Sequence, residues 1–141
     1  METMKKKQLF EIERDMGEAA AIKDFKISYA IQKNRSAIKS EIEAIREAAK
    51  PSKEFLEYAK ICQKDPKADT PELREKYAAA IAEQEKKVSD TNEELEKTIA
   101  VDVYKVKLSY INGLKPEVKN EITSDVLNGI WFMIDEDCKI D

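Results

Sequence analysis

The side chains in this sequence that could do chemistry are carboxylates, two thiols and many lysines; histidine is absent. Without it there is no imidazole base, no Ser-His or Cys-His pair and no imidazole metal ligand. Cys62 and Cys138 stand far apart, and two isolated thiolates do not complete the four-ligand shell of a structural zinc. Cys62 falls among apolar residues and reads as a small core side chain. Cys138 lies in a polar tail where Lys139 is the sole neighbouring cation able to activate it. The glycines are Gly17, Gly113 and Gly129, and none belongs to a glycine-rich loop that would cradle phosphate.

Carboxylates are plentiful but sit among lysines. Glu93, Glu94 and Glu96 beside Lys97 read as a solvated helix face rather than an acid–base pair. Asp135, Glu136, Asp137 and Asp141 invite a calcium reading, but an EF-hand loop needs a central glycine and a twelfth-position glutamate that this tail lacks. The expectation is a protein that is not an enzyme, with no catalytic residues, no cofactor and no metal.

Charge narrows the partners. The chain carries 25 basic and 29 acidic residues, a net charge of −4, and 38% of its residues are charged, against an average of about 25%. The signs interleave, which gives no strong field for nucleic acid. Lys5, Lys6 and Lys7 form the one basic run, and it reads as a solvated helix end. No run approaches the ~20 apolar residues needed to cross a bilayer. Met1–Lys7 resembles the start of an export signal, but charged and apolar residues alternate through Phe10–Arg14. The expectation is a protein that is not secreted by a signal peptide and meets neither membrane nor nucleic acid.

The elements that must position these residues are helices. With 141 residues a single domain spanning 1–141 is expected. Few glycines and prolines suit long helices with much surface and a narrow core. Leu9, Ile12, Met16 and Ala19 share one face of an N-terminal helix over Lys5–Ile22. Asp24–Ile27 alternates and reads as a short extended link, with Ser28 as the cap of the next helix. That helix runs from Tyr29 to about Lys50, with Ile31, Ile38 and Ile45 on a seam where Asn34 could fix register by a buried hydrogen bond. Pro51 forces a kink or a restart, and the seam resumes in Phe55, Leu56, Ala59 and Cys62. Pro66 marks a turn, Thr70 and Pro71 open a third helix, and Leu73, Tyr77, Ile81, Val88 and Leu95 carry its seam to about Lys97. So short a turn makes the two long helices antiparallel neighbours.

Val101, Val103, Val106 and Leu108 alternate with polar residues and favour a strand over Ile99–Leu108, with a parity switch that hints at a bulge or strand end. Its expected partner is Asp24–Ile27, giving a small two-stranded β pair at the hairpin base. Pro116–Ile122 reads as a short helix, and Ser124 or Asp125 caps a last one through Trp131 and Met133. The acidic tail from about Asp135 to Asp141 is expected to fray. The fold class is mainly α: a long antiparallel helical hairpin, an N-terminal helix, a small β pair and short C-terminal helices.

The run Phe25-Lys26-Ile27-Ser28-Tyr29-Ala30-Ile31-Gln32-Lys33-Asn34, followed by long Glu- and Ala-rich helices and by Val101–Ser109, resembles an uncharacterised family of small tailed-phage and prophage helical proteins. The resemblance implies a phage origin and a place in the virion or the host cytoplasm. It implies no activity and supplies no catalytic or binding residues. Function is then expected through protein–protein contacts, by self-association or with a phage or host protein. An accessory or structural phage role comes first; the alternative is a small inhibitor of a host enzyme or defence protein. Trp131, Phe132 and Met133, and Phe55 and Tyr58 on the hairpin, are the candidate interface residues. Trp131–Met133 also reads as core closing the hairpin base.

Overall fold

A computed structural model describes residues 1–139. The chain is mainly helical and forms two compact units where the length suggests one. Among the described residues the first holds 1–42 and 97–139, the second Glu43–Glu96.

In the first unit, strand β1 (Glu2–Lys5) leads into helix α1 (Lys6–Ala19). The Gln8 side chain accepts from the Lys5 N–H at 2.8 Å, which fixes the start of the helix. Leu9, Met16 and Ala19 fall on one face and are buried. Helix α2 (Phe25–Ala49) begins earlier than the sequence suggests. Asp24, not Ser28, is its cap: the Asp24 carboxylate accepts from the Ile27 N–H at 3.0 Å, and its carbonyl accepts from the Ser28 N–H. Ser28 instead donates its hydroxyl back to the Ile22 carbonyl. The expected extended link at Asp24–Ile27 is therefore the first turn of a helix. A capping carboxylate followed by apolar residues at helical spacing outweighs an alternation only four residues long.

The partner of the Val101 strand is correspondingly different. Strand β2 (Thr98–Val101) pairs antiparallel with β1, in the register Glu2 with Val101 and Lys5 with Thr98. That strand ends at Val101, and the parity switch between Val103 and Val106 falls in the irregular stretch 102–105 that separates it from the next one. A separate strand β3 (Val106–Lys107) pairs parallel with β4 (Ile134–Asp135). Helices α6 (Leu108–Asn112), α7 (Pro116–Lys119) and α8 (Ser124–Gly129) complete the unit, with a 3-10 turn at Trp131–Met133. Thr123 caps α8 by accepting from the Val126 N–H, one residue ahead of the expected cap. The core joins Leu9, Met16, Ile27, Ile31, Ile38 and Ile42 to Val106, Leu108, Ile130 and Met133.

The acidic tail is tied down as far as it is described. The Asp137 carboxylate accepts from both the Ser109 N–H and the Ser109 hydroxyl, at the start of α6. Asn112 donates to the Lys139 carbonyl at 3.0 Å. The expected fraying from Asp135 is overridden by the β3–β4 pair and this carboxylate cap; positions 140 and 141 lie outside the described residues.

In the second unit, Pro51 ends α2 and Ser52 caps a fresh helix, α3 (Lys53–Lys64), by accepting from the Phe55 N–H. A 3-10 turn at Pro66–Ala68 leads to α4 (Pro71–Lys76), which Thr70 caps, and α5 (Ala78–Leu95) follows. The third helix is thus broken at Tyr77, whose φ of −107° and ψ of 20° leave the helical region. The arms run antiparallel, since Tyr58 meets Tyr77 while Lys87 donates to the Lys50 carbonyl. Among the described residues of this unit only Ile45 and Ala80 are buried apolar side chains.

Candidate protein-docking surface

The first unit presents a row of aromatic rings at the start of α2. Phe25 is 83% exposed, Tyr29 43% and, on the segment after β2, Tyr104 41%. Phe25 and Tyr29 stand four residues apart, so both rings project from one side of the helix. Their centroids are 6.0 Å apart with planes 24° from parallel. Tyr29 meets Tyr104 edge-on at 5.5 Å.

Asn34 fixes the Tyr104 segment to α2. Its side-chain amide is 2% exposed and pairs with the Tyr104 backbone in both directions. Asn34 Oδ1 accepts from the Tyr104 N–H at 2.7 Å, and Asn34 Nδ2 donates to the Tyr104 carbonyl at 2.9 Å. The same Nδ2 lies 3.5 Å from the Met133 sulfur. Asn34 does make a buried hydrogen bond, but to the irregular Tyr104 backbone rather than across the helix–helix seam whose register it was expected to fix.

Beside this clamp runs a groove of about 490 Å³, lined by Lys33, Ser36 and Ala37 of α2 and by Asp102, Val103, Tyr104 and Lys105. Lys33 lies 5.8 Å from the centre of the Tyr29 ring, and Lys26 sits 4.5 Å over Tyr110. The Tyr110 hydroxyl donates to the Asp24 carboxylate at 2.9 Å, which holds the phenol above its ordinary pKa. Lys105 pairs with Glu2 at 2.6 Å.

The interface candidates read from sequence fall elsewhere. Met133 is fully buried in the core and has no surface to offer. It closes the 3-10 turn onto Asn34, so its place in a docking patch is corrected to that of a core residue. Trp131 and Phe132 are half-buried and packed against the same core. The Trp131 indole N–H donates to Glu136 at 3.0 Å. Phe55 and Tyr58 belong to the second unit and pack on each other at 6.0 Å. Tyr58 donates to Asp69 at 2.5 Å, and Arg74 grips the same carboxylate with two donors at 2.9 and 2.7 Å. The Arg74 hydrogen bonds hold Asp69 down at about 2, while the bond to Asp69 pushes Tyr58 up to about 12. That cluster locks the turn between α3 and α4 and leaves little of Tyr58 for a partner.

The sequence pattern alone does not single out Phe25, Tyr29 or Tyr104. The i, i+4 spacing of Phe25 and Tyr29 would have found two of them once Asp24 was taken as the cap. Comparison with protein-family models, with curated proteins and with solved structures finds no match.

Proposed function

We propose that the chain is a non-enzymatic accessory protein that works by docking another protein on the Phe25–Tyr29–Tyr104 row. The observation that carries this reading is Phe25. A phenylalanine 83% exposed at the first turn of a long helix forgoes the ~1.5–3 kcal/mol that burial of such a side chain supplies. Two further rings extend the same surface, and Asn34 holds the third rigidly in place. Rigid aromatic anchors of this kind dominate the energetics of protein interfaces. The lack of histidine supports a binding rather than a catalytic role, and the resemblance of Phe25–Asn34 to the tailed-phage family supports a virion or host-cell setting.

A photo-crosslinking side chain at position 25, in cells making the protein, tests this. One discrete adduct at position 25, absent when the same group stands at Val88, is the expected result. No adduct, or the same scatter of adducts from both positions, overturns it. Detection of the chain in purified phage particles would separate a structural role from a host-directed one.

A further inference from the structure

The charge around the rings says what kind of partner fits them. From Lys23 to Arg35 the chain carries Lys23, Lys26, Lys33 and Arg35 against one acid of the same stretch, Asp24, with the Glu121 carboxylate accepting from the Lys23 N–H, although the whole chain is at −4. Asp24 is committed to the Ile27 N–H and the Tyr110 hydroxyl. Lys26 and Lys33 are exposed and lie beside ring faces rather than beside carboxylates. Lys105 adds a cation on the opposite wall of the groove. Its pair with Glu2 is 42% and 39% exposed, and exposed pairs exchange readily for another carboxylate. Asp102 is the one acid in the lining.

We infer that this surface takes an acidic segment of a partner protein, carrying one aromatic or aliphatic anchor. The inference rests on the docking reading given above and adds the chemistry of the partner. The anchor sits on Phe25 and Tyr29, and the carboxylates follow the groove to Lys33 and Lys105. From Phe25 to Lys33 along the helix is roughly 12 Å at 1.5 Å per residue. An extended peptide covers that in about three to four residues at ~3.3 Å each, which sets the spacing between anchor and acid. Single-stranded nucleic acid fits less well. Stacked bases need successive open ring faces. Here Tyr29 is covered by Phe25 on one side and met by Tyr104 on another, and Asp102 and Glu2 would face the phosphates.

A random dodecapeptide display library, selected on the full chain and on its Phe25→Ser and Lys33→Glu variants, reads this chemistry directly. The expected winners place Asp or Glu three or four positions from Phe, Trp or Leu. A synthetic winner loses about tenfold or more in affinity on Lys33→Glu, less on Lys33→Gln, and weakens as salt rises. Circular dichroism of each variant checks that it is folded. Apolar winners without acids, indifferent to Lys33→Glu, would overturn the acidic partner and leave the docking surface standing. No enrichment over Phe25→Ser would overturn both. Salt-sensitive binding of an oligothymidylate, tighter than that of any selected peptide, would replace the inference with a nucleic-acid partner.

Discussion

Replacing Asn34 with alanine removes the one side chain that binds the 102–105 segment to α2 through both backbone groups of Tyr104. The amide is 2% exposed and its two bonds are 2.7 and 2.9 Å long. A buried backbone donor or acceptor left unmet costs about 1–3 kcal/mol. Tyr104 itself is 41% exposed, so water recovers part of that loss, and the pair together should cost about 2–3 kcal/mol. For a chain of this size each kcal/mol is worth roughly 3 °C, which places the midpoint roughly 6–9 °C lower. Asn34→Leu fills the space yet restores neither bond, so it should fall by a similar amount. In the Asn34→Asp protein the acceptor for the Tyr104 N–H survives, but a carboxylate faces the Tyr104 carbonyl. Protonation returns a donor, so that variant should be less penalised in mild acid than at neutral pH. Urea unfolding gives the magnitude, and amide hydrogen exchange gives the place: residues 102–105 should exchange far faster while α1 keeps its protection. A loss under about 0.5 kcal/mol, with exchange at 102–105 unchanged, would refute the clamp.

Other outcomes follow from equally local features. A Cβ at Gly129 would stand 2.9 Å from the Asp15 Cβ, so Gly129→Ala must part α8 from α1 and should cost about 1–3 kcal/mol in thermal unfolding. Gly113→Ala, whose nearest atom would be at 3.5 Å, should cost far less; equal losses would dismiss the close contact as the cause. Tyr58 is pushed up to about 12 from 10.0; its folded pKa lies above the unfolded one, so its contribution is complete below pH 10 and is lost as pH rises through about 12. Asp69 is held at about 2 against 3.8; its contribution is present above pH 3.8 and is lost as pH falls through about 2. Phenolate absorbance during alkaline titration, compared with that of Tyr58→Phe, checks the first, and a Tyr58 that titrates like free tyrosine would sink it. Phe25→Ser should leave unfolding within about 0.5 kcal/mol because the ring is 83% exposed; a large loss would reveal a structural rather than a docking role.

The helices were legible in the sequence because they repeat their signal. Ile31, Ile38 and Ile45 mark α2 over several turns, and all three are buried. Pro51 and the Thr70–Pro71 pair each announce a boundary through backbone chemistry. The strands were not legible in the same way. Glu2–Lys5 is four residues long and finds its partner at Thr98–Val101, and nothing local in either segment names the other. The break at Tyr77 carries no proline or glycine; it coincides with the packing of that ring on Tyr58, a tertiary contact. The docking row is masked in the sequence by one ambiguous cap. The short alternation over Asp24–Ile27 masks the helical spacing of Phe25 and Tyr29, and Tyr104 joins them only because Asn34 reaches across the fold to its backbone. Met133 shows the opposite case: an aromatic- and Met-rich cluster resembles an interface in sequence whether it faces outward or is buried.

Because β1 pairs with β2, the first unit is assembled from two stretches of chain with the second unit lying between them in sequence. During synthesis Glu2–Lys5 leaves the ribosome roughly 90 residues ahead of the strand it needs. At about 5–20 residues per second that is a wait of roughly 5–18 s. For that interval the α1 face bearing Leu9 and Met16 lacks Ile130 and Met133, the side chains that later close over the same core. The residues of Glu43–Glu96 have all been synthesised before Thr98–Val101 emerges. Once their helices form, they shorten the free loop that must close between Ile42 and Lys97. The insertion thus sets an order of synthesis, in which every residue of the second unit exists before the first unit's sheet and core can close.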